Sequence, residues 1–598
     1  MTNFKNAPTE WDLSYLLKSD DDPNIEKYRQ ELTTKTDEFV LKWRDNHDYL
    51  TNPNKLKAAL DEFCELTTMH QNGAEAFYFG LRSTLDSMSP EVRAKENKSE
   101  EFSKQIANKI VFFPLALSKI KEEDQKVMLN SAVLEDYKHF LERKFVEAKH
   151  RLSVSEEQIL MLKSGPAYEK WIQFIDNSLS KAEAKVLKED GKSEIATLEE
   201  LHTLTANPKK EVRESAAKAL SHIFEQTSDM AEAEINAILE NKKIDDHLRN
   251  FDLPEQSRLL SDDIDPEIVD AMVEAVKKNY DLSIRFMDFK ARLLKQPKFE
   301  YYERAVGYGD VQKEYTYEDS LELVDSVFNE LDPQFSEILR DLSSKGLIDV
   351  YPKKGKRGGA FCAGFSKSLP TYVMLNHTNK LRDVATIAHE FGHAINNELM
   401  RLKQNELNFA TPLSTAEVAS TFMEDFVFDR LLEEASEEEE LVLRVGQLQD
   451  QISTIFRQVA AYRFEKDLHT EFRKTGYVAK DKINELFCNH MKEYLGDHAE
   501  GAENWWVYWS HIRRFFYVYS YASGLLISKA LQSKVKQDKQ FIGQVKEFLS
   551  AGTSKSPKDI FLQLGVDISD SNFWKQGISE IKSQIDQTEK LAKKLGKI

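Results

Sequence analysis

The sequence predicts a mostly α-helical protein that carries one small β-sheet. Glycine and proline are scarce, with 22 and 15 residues among 598, which disfavours an architecture built on many turns. Apolar and charged residues alternate at helical spacing over most of the chain, whereas β-forming residues concentrate in one central segment. We therefore expect helices to make up nearly all of the fold.

Long helical patterns fill the first 245 residues. Apolar and charged side chains recur there at helical spacing with few breakers, and no segment repeats at a fixed period. We interpret these segments, including their Ala-, Glu- and Lys-rich runs, as a helical scaffold. The segments are 24–50, 54–71, 99–151 and 155–245, with the runs Lys181–Lys188 and Glu211–Ala219.

The small sheet is predicted in the central segment, where aromatic residues and glycines interrupt the helical pattern between about residues 298 and 365. Ala360–Phe365 and Thr371–Leu375 are rich in β-forming residues, and we interpret them as two strands. From Leu381 onward the pattern is helical again.

Charge and cysteine content exclude several classes of protein. The formal net charge is −19, which disfavours binding to a phosphate backbone, and we expect no nucleic-acid partner. No run approaches the ~18 apolar residues that a membrane span needs. The three cysteines form no CxxC pair, and the first residues lack the basic start and apolar core of a secretory signal. These features predict a cytoplasmic protein.

One motif indicates metal chemistry. His389 and His393 lie four residues apart in the pattern HExxH, so a helix would present both imidazoles to one point. Two neutral imidazoles are good zinc ligands. Glu390 can flank the metal and take a proton from a water that the metal activates. Gly392 lies inside this helix, where glycine is costly, so we expect another group to approach it closely.

The next helical segment offers a third ligand. Pro412 and Ser414 form a plausible helix start before Thr415–Arg430. Glu417 lies 24 positions after His393, which leaves room for a turn and a return helix, and we assign it as the third ligand. Glu424 lies seven positions further on the same face and is a candidate to orient a ligand histidine.

An aromatic segment over residues 505–524 could supply hydrogen-bond donors to a developing oxyanion, because tyrosine and histidine serve in this role. It contains His511, Tyr517, Tyr519 and Tyr521. The spacing does not choose among the three tyrosines, and much of the segment suits a packed core.

The sequence resembles the thimet-type family of zinc oligopeptidases, in its oligoendopeptidase F branch. The resemblance is strongest from about residue 280 to 530 and continues more loosely towards both ends. Two departures are Asn396, where many members of the branch have another histidine, and the segment 301–307, where relatives often have a turn with an aspartate. The matching segments are Trp11-Asp12-Leu13, GKRGGAFCAGF (355–365), ATIAHEFGHAI (385–395), TAEVASTFMEDF (415–426) and FYVYSYASGL (516–525).

The resemblance implies a mostly α fold of two lobes around a deep channel, with the small sheet near the active site. It divides the chain into an N-terminal helical segment (1–110), a helical domain of the family type (111–200) and a catalytic zinc-peptidase domain (201–598).

For the site, the resemblance implies one Zn²⁺ per chain and assigns a role to each matching residue. His511 and Tyr521 would bind the substrate carbonyl, and Tyr517 or Tyr519 would be their neighbour. An extended peptide would pair with the strand at Gly359, Ala360 and Phe361. The remaining implied roles are metal ligation by His389, His393 and Glu417, and general base catalysis by Glu390.

We therefore expect a zinc metalloendopeptidase that hydrolyses internal bonds of short peptides, as a monomer or small homo-oligomer with no membrane partner. One alternative is a zinc carboxypeptidase or dipeptidase on a related helical fold, which needs a basic residue for the substrate carboxylate. The other is a non-catalytic helical scaffold with a structural zinc, against which Glu390 argues, since a structural site needs no base.

Overall fold

Helices dominate the computed structural model of the protein, which describes residues 4–72, 74–86, 89–309, 311 and 313–598. This confirms the predicted mostly-α class. None of the helices in the described ranges is both long and apolar enough to cross a bilayer.

The helices and strands follow in chain order. The α-helices are α1 (Asn24–Trp43), α2 (Pro53–Asn72), α3 (Glu75–Leu85), α4 (Pro90–Ile110), α5 (Phe112–Leu117), α6 (Glu122–Leu129), α7 (Lys138–Glu147), α8 (Val154–Ser164), α9 (Lys170–Ser180), α10 (Leu198–Leu204), α11 (Lys210–Leu248), α12 (Gln256–Ser261), α13 (Pro266–Lys277), α14 (Tyr280–Leu293), α15 (Tyr317–Leu331), α16 (Pro333–Ser344), α17 (Leu381–Lys403), α18 (Ala416–Glu434), α19 (Glu437–Ile452), α20 (Gln458–Thr475), α21 (Lys480–Leu495), α22 (Tyr519–Gln537), α23 (Ile542–Leu549), α24 (Pro557–Gln563) and α25 (Ser571–Lys594). The β-strands are β1 (Glu183–Leu187), β2 (Ser193–Thr197), β3 (Ile348–Asp349), β4 (Phe361–Ala363) and β5 (Tyr372–Met374).

The chain folds into two compact units, each built from three segments. The first unit comprises Met1–Lys149, Gln312–Glu433 and Leu531–Val566. The second unit comprises His150–Val311, Glu434–Ala530 and Asp567–Ile598.

The small sheet lies in the first unit and has the strand order β3-β5-β4. The predicted strands Ala360–Phe365 and Thr371–Leu375 form as the shorter β4 and β5, and β3 is a third strand that was not predicted. The central strand β5 pairs in parallel with β3 and antiparallel with β4, which leaves β4 at an edge. All three residues of β5 are fully buried, which accounts for the continuous run of apolar residues there. Helix α17 packs on β4 and β5 and also contacts α15, α16 and α23. The sheet therefore supports one side of α17.

The N-terminal helices of the first unit enclose an aromatic core around Phe39, Tyr49 and Phe113. The long pattern over 99–151 is helical but not continuous, because it divides among α4, α5, α6 and α7. Periodicity predicts the helical state of this segment but not its breaks.

The second unit is organised around α11, a helix of 39 residues that contacts α9, α10, α20 and α21. The prediction of helix for Lys181–Lys188 is wrong, because Glu183–Leu187 forms strand β1 and pairs antiparallel with β2. The hairpin turns at Asp190-Gly191, where Gly191 has a φ of +81°. An Asp-Gly dipeptide is a strong signal for a hairpin, and it outweighed the helical composition of the flanking residues.

Candidate metal centre and active site

Helices α17 and α18 bring two imidazoles and one carboxylate together in the first unit. The rings of His389 and His393 lie 5.1 Å apart between centroids. The Oε2 atom of Glu417 lies 3.5 Å from Nε2 of His389 and 3.7 Å from Nε2 of His393. One potential ligand atom from each residue falls within 4.8 Å of the others. The predicted spacing thus produces a convergent set of three donors.

A glycine allows the two helices to approach so closely. A Cβ atom placed on Gly392 would lie 2.5 Å from Cα of Ser420 and 2.6 Å from the carbonyl oxygen of Ala419. Both atoms belong to the backbone of α18, so a side chain at this position would push the helices apart. The expected close approach at Gly392 is confirmed, and its physical consequence is that Glu417 reaches the histidines of α17.

Further side chains orient two of the three donors. Oε2 of Glu424 lies 3.0 Å from Nδ1 of His389, in the position expected for an orienting carboxylate. When the imidazole is neutral, this contact favours the tautomer with the ring proton on Nδ1, in which Nε2 faces Glu417 without a proton. The hydroxyl of Ser420 donates to Oε2 of Glu417 at 3.0 Å.

The electrostatic surroundings of the two histidines differ. Burial lowers the pKa of His389, but the hydrogen bond and charge of Glu424 outweigh it and raise this pKa to about 9. Burial lowers the pKa of His393 to about 4, so this imidazole is neutral. Two imidazoles, one carboxylate and a carboxylate behind one imidazole form the donor set that zinc prefers, and the residues therefore fit this metal.

Glu390 lies beside the donor set without belonging to it. Its side chain is 6% exposed, and burial raises the pKa of the carboxyl to about 7. The charge of His389 and the backbone N–H of Cys362 in strand β4 lower this pKa, whereas the charge of Glu417 raises it. The carboxyl group is thus held between the edge strand and the histidines.

A cavity of about 370 Å³ opens in front of these groups. Strand β4 and the residue before it form one wall, since Ala360, Phe361 and Cys362 line the cavity, whereas Gly359 does not. Gly359 has a φ of +80°, and its carbonyl accepts a hydrogen bond from Nδ2 of Asn376 at 2.7 Å. Of the three predicted peptide-binding positions, two therefore line the cavity.

Sequence reasoning missed several residues of this cavity. Cys362, Asn397 and Thr411 line it together with Gly364. Asn397 lies four positions after His393, so the helical periodicity that paired the histidines could have identified it. Asn396 is hydrogen-bonded, because its Nδ2 donates to the carbonyl of Leu549 and its Oδ1 accepts from Thr411.

The aromatic donors form a separate cluster in the second unit. The hydroxyl of Tyr517 contacts Nδ1 of His511, and the rings of His511 and Tyr521 lie 6.0 Å apart. Burial lowers the pKa of His511 to about 4, so the imidazole is neutral. Tyr519 points elsewhere: it is fully buried and donates to Oδ2 of Asp262 at 2.8 Å. The structure thus removes Tyr519 from the candidates that spacing left open.

Comparison with known proteins supports the resemblance seen in the sequence. The sequence model of Peptidase family M3 matches residues 203–580, more than half of the chain, and the model of Oligopeptidase F matches residues 117–183. Oligopeptidase PepF of Bacillus subtilis (strain 168) is 24% identical over 96% of this chain and 84% of its own length. An oligoendopeptidase F homolog of Borreliella burgdorferi is 25% identical over 98% of this chain and 99% of its own length.

Solved structures agree on the fold. Oligoendopeptidase-F from Enterococcus faecium superposes with a TM-score of 0.70 at 18% identity, over 95% of this chain and 98% of that one. PZ peptidase A superposes with a TM-score of 0.73 at 16% identity, over 94% of this chain and 98% of that one. These similarities confirm the fold, and the two family matches show that the chain belongs to peptidase family M3, in its oligopeptidase F branch, and is a peptidase.

Proposed function

We propose that the protein is a zinc-dependent endopeptidase that cleaves internal bonds of short oligopeptides in the cytoplasm. The observation that carries the proposal is the convergence of His389, His393 and Glu417, with Glu390 beside them and outside the ligand set. A metallopeptidase needs three protein ligands, an open position and a base. These four residues would supply the ligands and the base, and the cavity that they line would leave the open position. The names of the relatives in the oligopeptidase F branch support peptides as the substrates.

The proposed ligands are His389, His393 and Glu417, holding one ion per chain. Zinc, when bound there, would supply a Lewis acid that polarises the scissile carbonyl and acidifies water. Glu424 holds the ring of His389 in the tautomer that presents Nε2, and Ser420 holds one oxygen of Glu417. Two of the three proposed ligands, His389 and Glu417, thus have a side chain that fixes their orientation.

Glu390 is the proposed general base. Its carboxylate accepts a proton from the attacking water and returns it to the amine of the departing peptide. The N–H of Cys362 donates to this carboxylate, so the edge strand restrains its direction. By the family resemblance, His511 and Tyr521 donate hydrogen bonds to the carbonyl oxygen as it becomes negative, and Tyr517 orients His511.

The edge strand β4 is the proposed site for the substrate backbone. An extended peptide that pairs with Ala360 and Phe361 would lie along the wall of the cavity that contains Glu390. Only an unfolded segment has free backbone groups for this pairing. We therefore propose substrates of roughly 5–20 residues, a range set by the ~3.3 Å that each extended residue spans.

The test combines metal content with turnover. Purified protein should hold about one zinc per chain, and a chelator should abolish cleavage reversibly. Glu390→Gln should retain zinc and lose turnover by about 10²–10⁴-fold, because it removes the base alone. Glu417→Ala should instead lose zinc. Retention of zinc by Glu417→Ala together with its loss from Glu390→Gln would reverse the two roles.

The alternatives are separated by the position of the cut. A peptide blocked at both ends should be cleaved internally by an endopeptidase and left intact by a carboxypeptidase or dipeptidase. A scaffold with a structural zinc should bind the metal without any turnover. Mass spectrometry of a digested peptide pool, with tightly folded proteins as controls, reports both the cut and the size limit.

A further inference from the structure

We propose that the second unit contains a binding site for a small monovalent anion, a halide or a carboxylate, between Arg304 and Arg457. The site needs neither the metal nor Glu390, so it goes beyond the proposed function. The chain carries 101 acidic residues against 82 Lys and Arg residues, yet neither of these two arginines forms an ion pair with any residue that the structure describes. Both side chains are partly buried, where an unpaired charge is unfavourable.

The two guanidinium groups lie on one aromatic wall. The members of this wall are Tyr301, Phe487, Trp505 and Trp509. The ring centroid of Tyr301 lies 5.3 Å from that of Trp505 and 6.2 Å from that of Phe487. The ring centroids of Phe487 and Trp509 lie 5.8 Å apart. Cζ of Arg304 lies 4.2 Å from the ring centre of Tyr301 and 4.7 Å from that of Trp505. Cζ of Arg457 lies 4.2 Å from the ring centre of Trp509. Stacking fixes the plane of each guanidinium but leaves its N–H edge available.

Several buried donors of this group have no partner among the described residues. They are Nε of Arg457, Nε1 of Trp509 and the hydroxyl of Tyr494. Trp509 is 5% exposed and Tyr494 is 1% exposed, so their polar atoms are shielded from bulk water. Arg304 donates one N–H, from Nη1, to the carbonyl of Tyr301 at 2.8 Å. An accumulation of unused N–H and O–H donors is the environment that an anion requires.

Burial lowers the pKa of His202 to about 4, and the positive charges of the neighbouring Arg304 and Arg457 both contribute to this shift. Burial likewise lowers the pKa of Arg304, and the charge of Arg457 adds to this effect. The nearby histidine is therefore neutral and adds no third positive charge. A bound anion would relieve the repulsion between the two guanidinium groups.

The backbone around Arg457 has an unusual conformation. Arg457 is the last residue of a π-helical turn, Ser453–Arg457, which separates α19 from α20. Such turns insert one extra residue and are frequent at functional sites. Arg457 itself belongs to this turn, and its guanidinium lies over the ring of Trp509.

The test locates the anion directly. Crystals soaked in sodium bromide should show an anomalous peak between Arg304 and Arg457, and Arg457→Gln and Trp509→Phe should lose it. Trp509→Phe keeps an aromatic side chain beside Arg457 while it replaces the indole and removes its N–H, so it remains informative if Arg457→Gln fails to fold. Arg463→Gln is the matched control, because Arg463 lies in helix α20, which directly follows Arg457, but is paired with Glu493. It should leave the peak unchanged.

A second experiment, on peptide binding and thermal stability, identifies the source of the anion. Peptide binding is measured on the Glu390→Gln protein with a peptide that has a free C-terminal carboxylate and with its amide. If the substrate carboxylate occupies the site, Arg457→Gln should weaken binding of the acid by about 10–100-fold and leave the amide unchanged. If an inorganic anion occupies it, chloride should raise the melting temperature of the parent protein but not of Arg457→Gln.

The absence of a bromide peak, of a chloride-dependent melting temperature and of a preference for the acid would overturn the proposal. An equal loss of the bromide peak in Arg463→Gln would also overturn the proposal, since the effect would then follow from removing any positive charge in this region. The bromide measurement needs no catalysis, so a failure of the proposed peptidase mechanism would not be mistaken for a failure of the anion site.

Discussion

Replacing Gly392 by alanine tests whether the close approach of α17 and α18 assembles the metal site. The new Cβ would meet Cα of Ser420 at 2.5 Å and the carbonyl oxygen of Ala419 at 2.6 Å. Ordinary carbon contacts are about 3.5–4.0 Å, so the helices must separate by roughly 1 Å. Metal–ligand distances tolerate only about ±0.2 Å, and Glu417 would leave the reach of the histidines.

The expected magnitudes follow from these distances. Overpacking costs about 1–3 kcal/mol, which is offset in part by the ~1 kcal/mol that alanine gains over glycine in a helix. We therefore expect a loss of stability of up to about 2 kcal/mol. Zinc affinity should fall by at least the 10–100-fold that is typical when groups supporting a ligand are lost.

The assay is competitive zinc titration together with thermal unfolding. Gly446→Ala is the matched control, because Gly446 lies inside helix α19 and a Cβ there would meet nothing within 4 Å. It should stabilise the protein slightly through helix propensity and leave zinc affinity unchanged. If Gly392→Ala bound zinc as tightly as the parent and melted at a higher temperature, as the control should, the reasoning about the helix contact would be refuted.

Three further predictions concern individual side chains. Glu424→Gln should weaken zinc binding by about 10–100-fold while the fold is retained, because His389 loses its charged partner; unchanged affinity in a zinc titration would contradict this. Tyr521→Phe should lower kcat by about 10²-fold with little change in KM, whereas a loss seen in Tyr517→Phe alone would move the donor role to Tyr517. Glu465 is fully buried, and burial raises the pKa of its carboxyl to about 8 although the N–H of Phe516 lowers it. The folded-state pKa lies above the unfolded value, so its contribution to stability is present at low pH and is lost between about pH 4.5 and 8. Between pH 5.5 and pH 8, the free energy of unfolding measured with denaturant should fall in the parent and fall less in Glu465→Gln. An equal fall in both proteins would count against this prediction.

The small sheet and the zinc helix could be predicted because their signals are local. The pattern His389-Glu390-x-x-His393 depends on helical periodicity alone, and the β-forming run at Thr371–Leu375 is buried on both faces in the structure. The hairpin of β1 and β2 was missed, because its flanking residues have a helical composition and its signal is a two-residue turn. Local sequence thus determined the state of most segments, except where a short turn competed with composition.

The sequence by itself determined which residues could carry the chemistry, because the type of each side chain and its spacing along a helix follow directly from the order of residues. Tertiary structure decided which of them meet. The position of Glu417 opposite the histidines depends on the backbone contact at Gly392. The exclusion of Tyr519 depends on Asp262, which binds its hydroxyl from 257 positions away. Among the described residues neither Arg304 nor Arg457 forms an ion pair, and a sequence cannot show this, because ion pairing depends on packing. Contacts between distant residues follow from how apolar surfaces are buried together, and no local pattern encodes them.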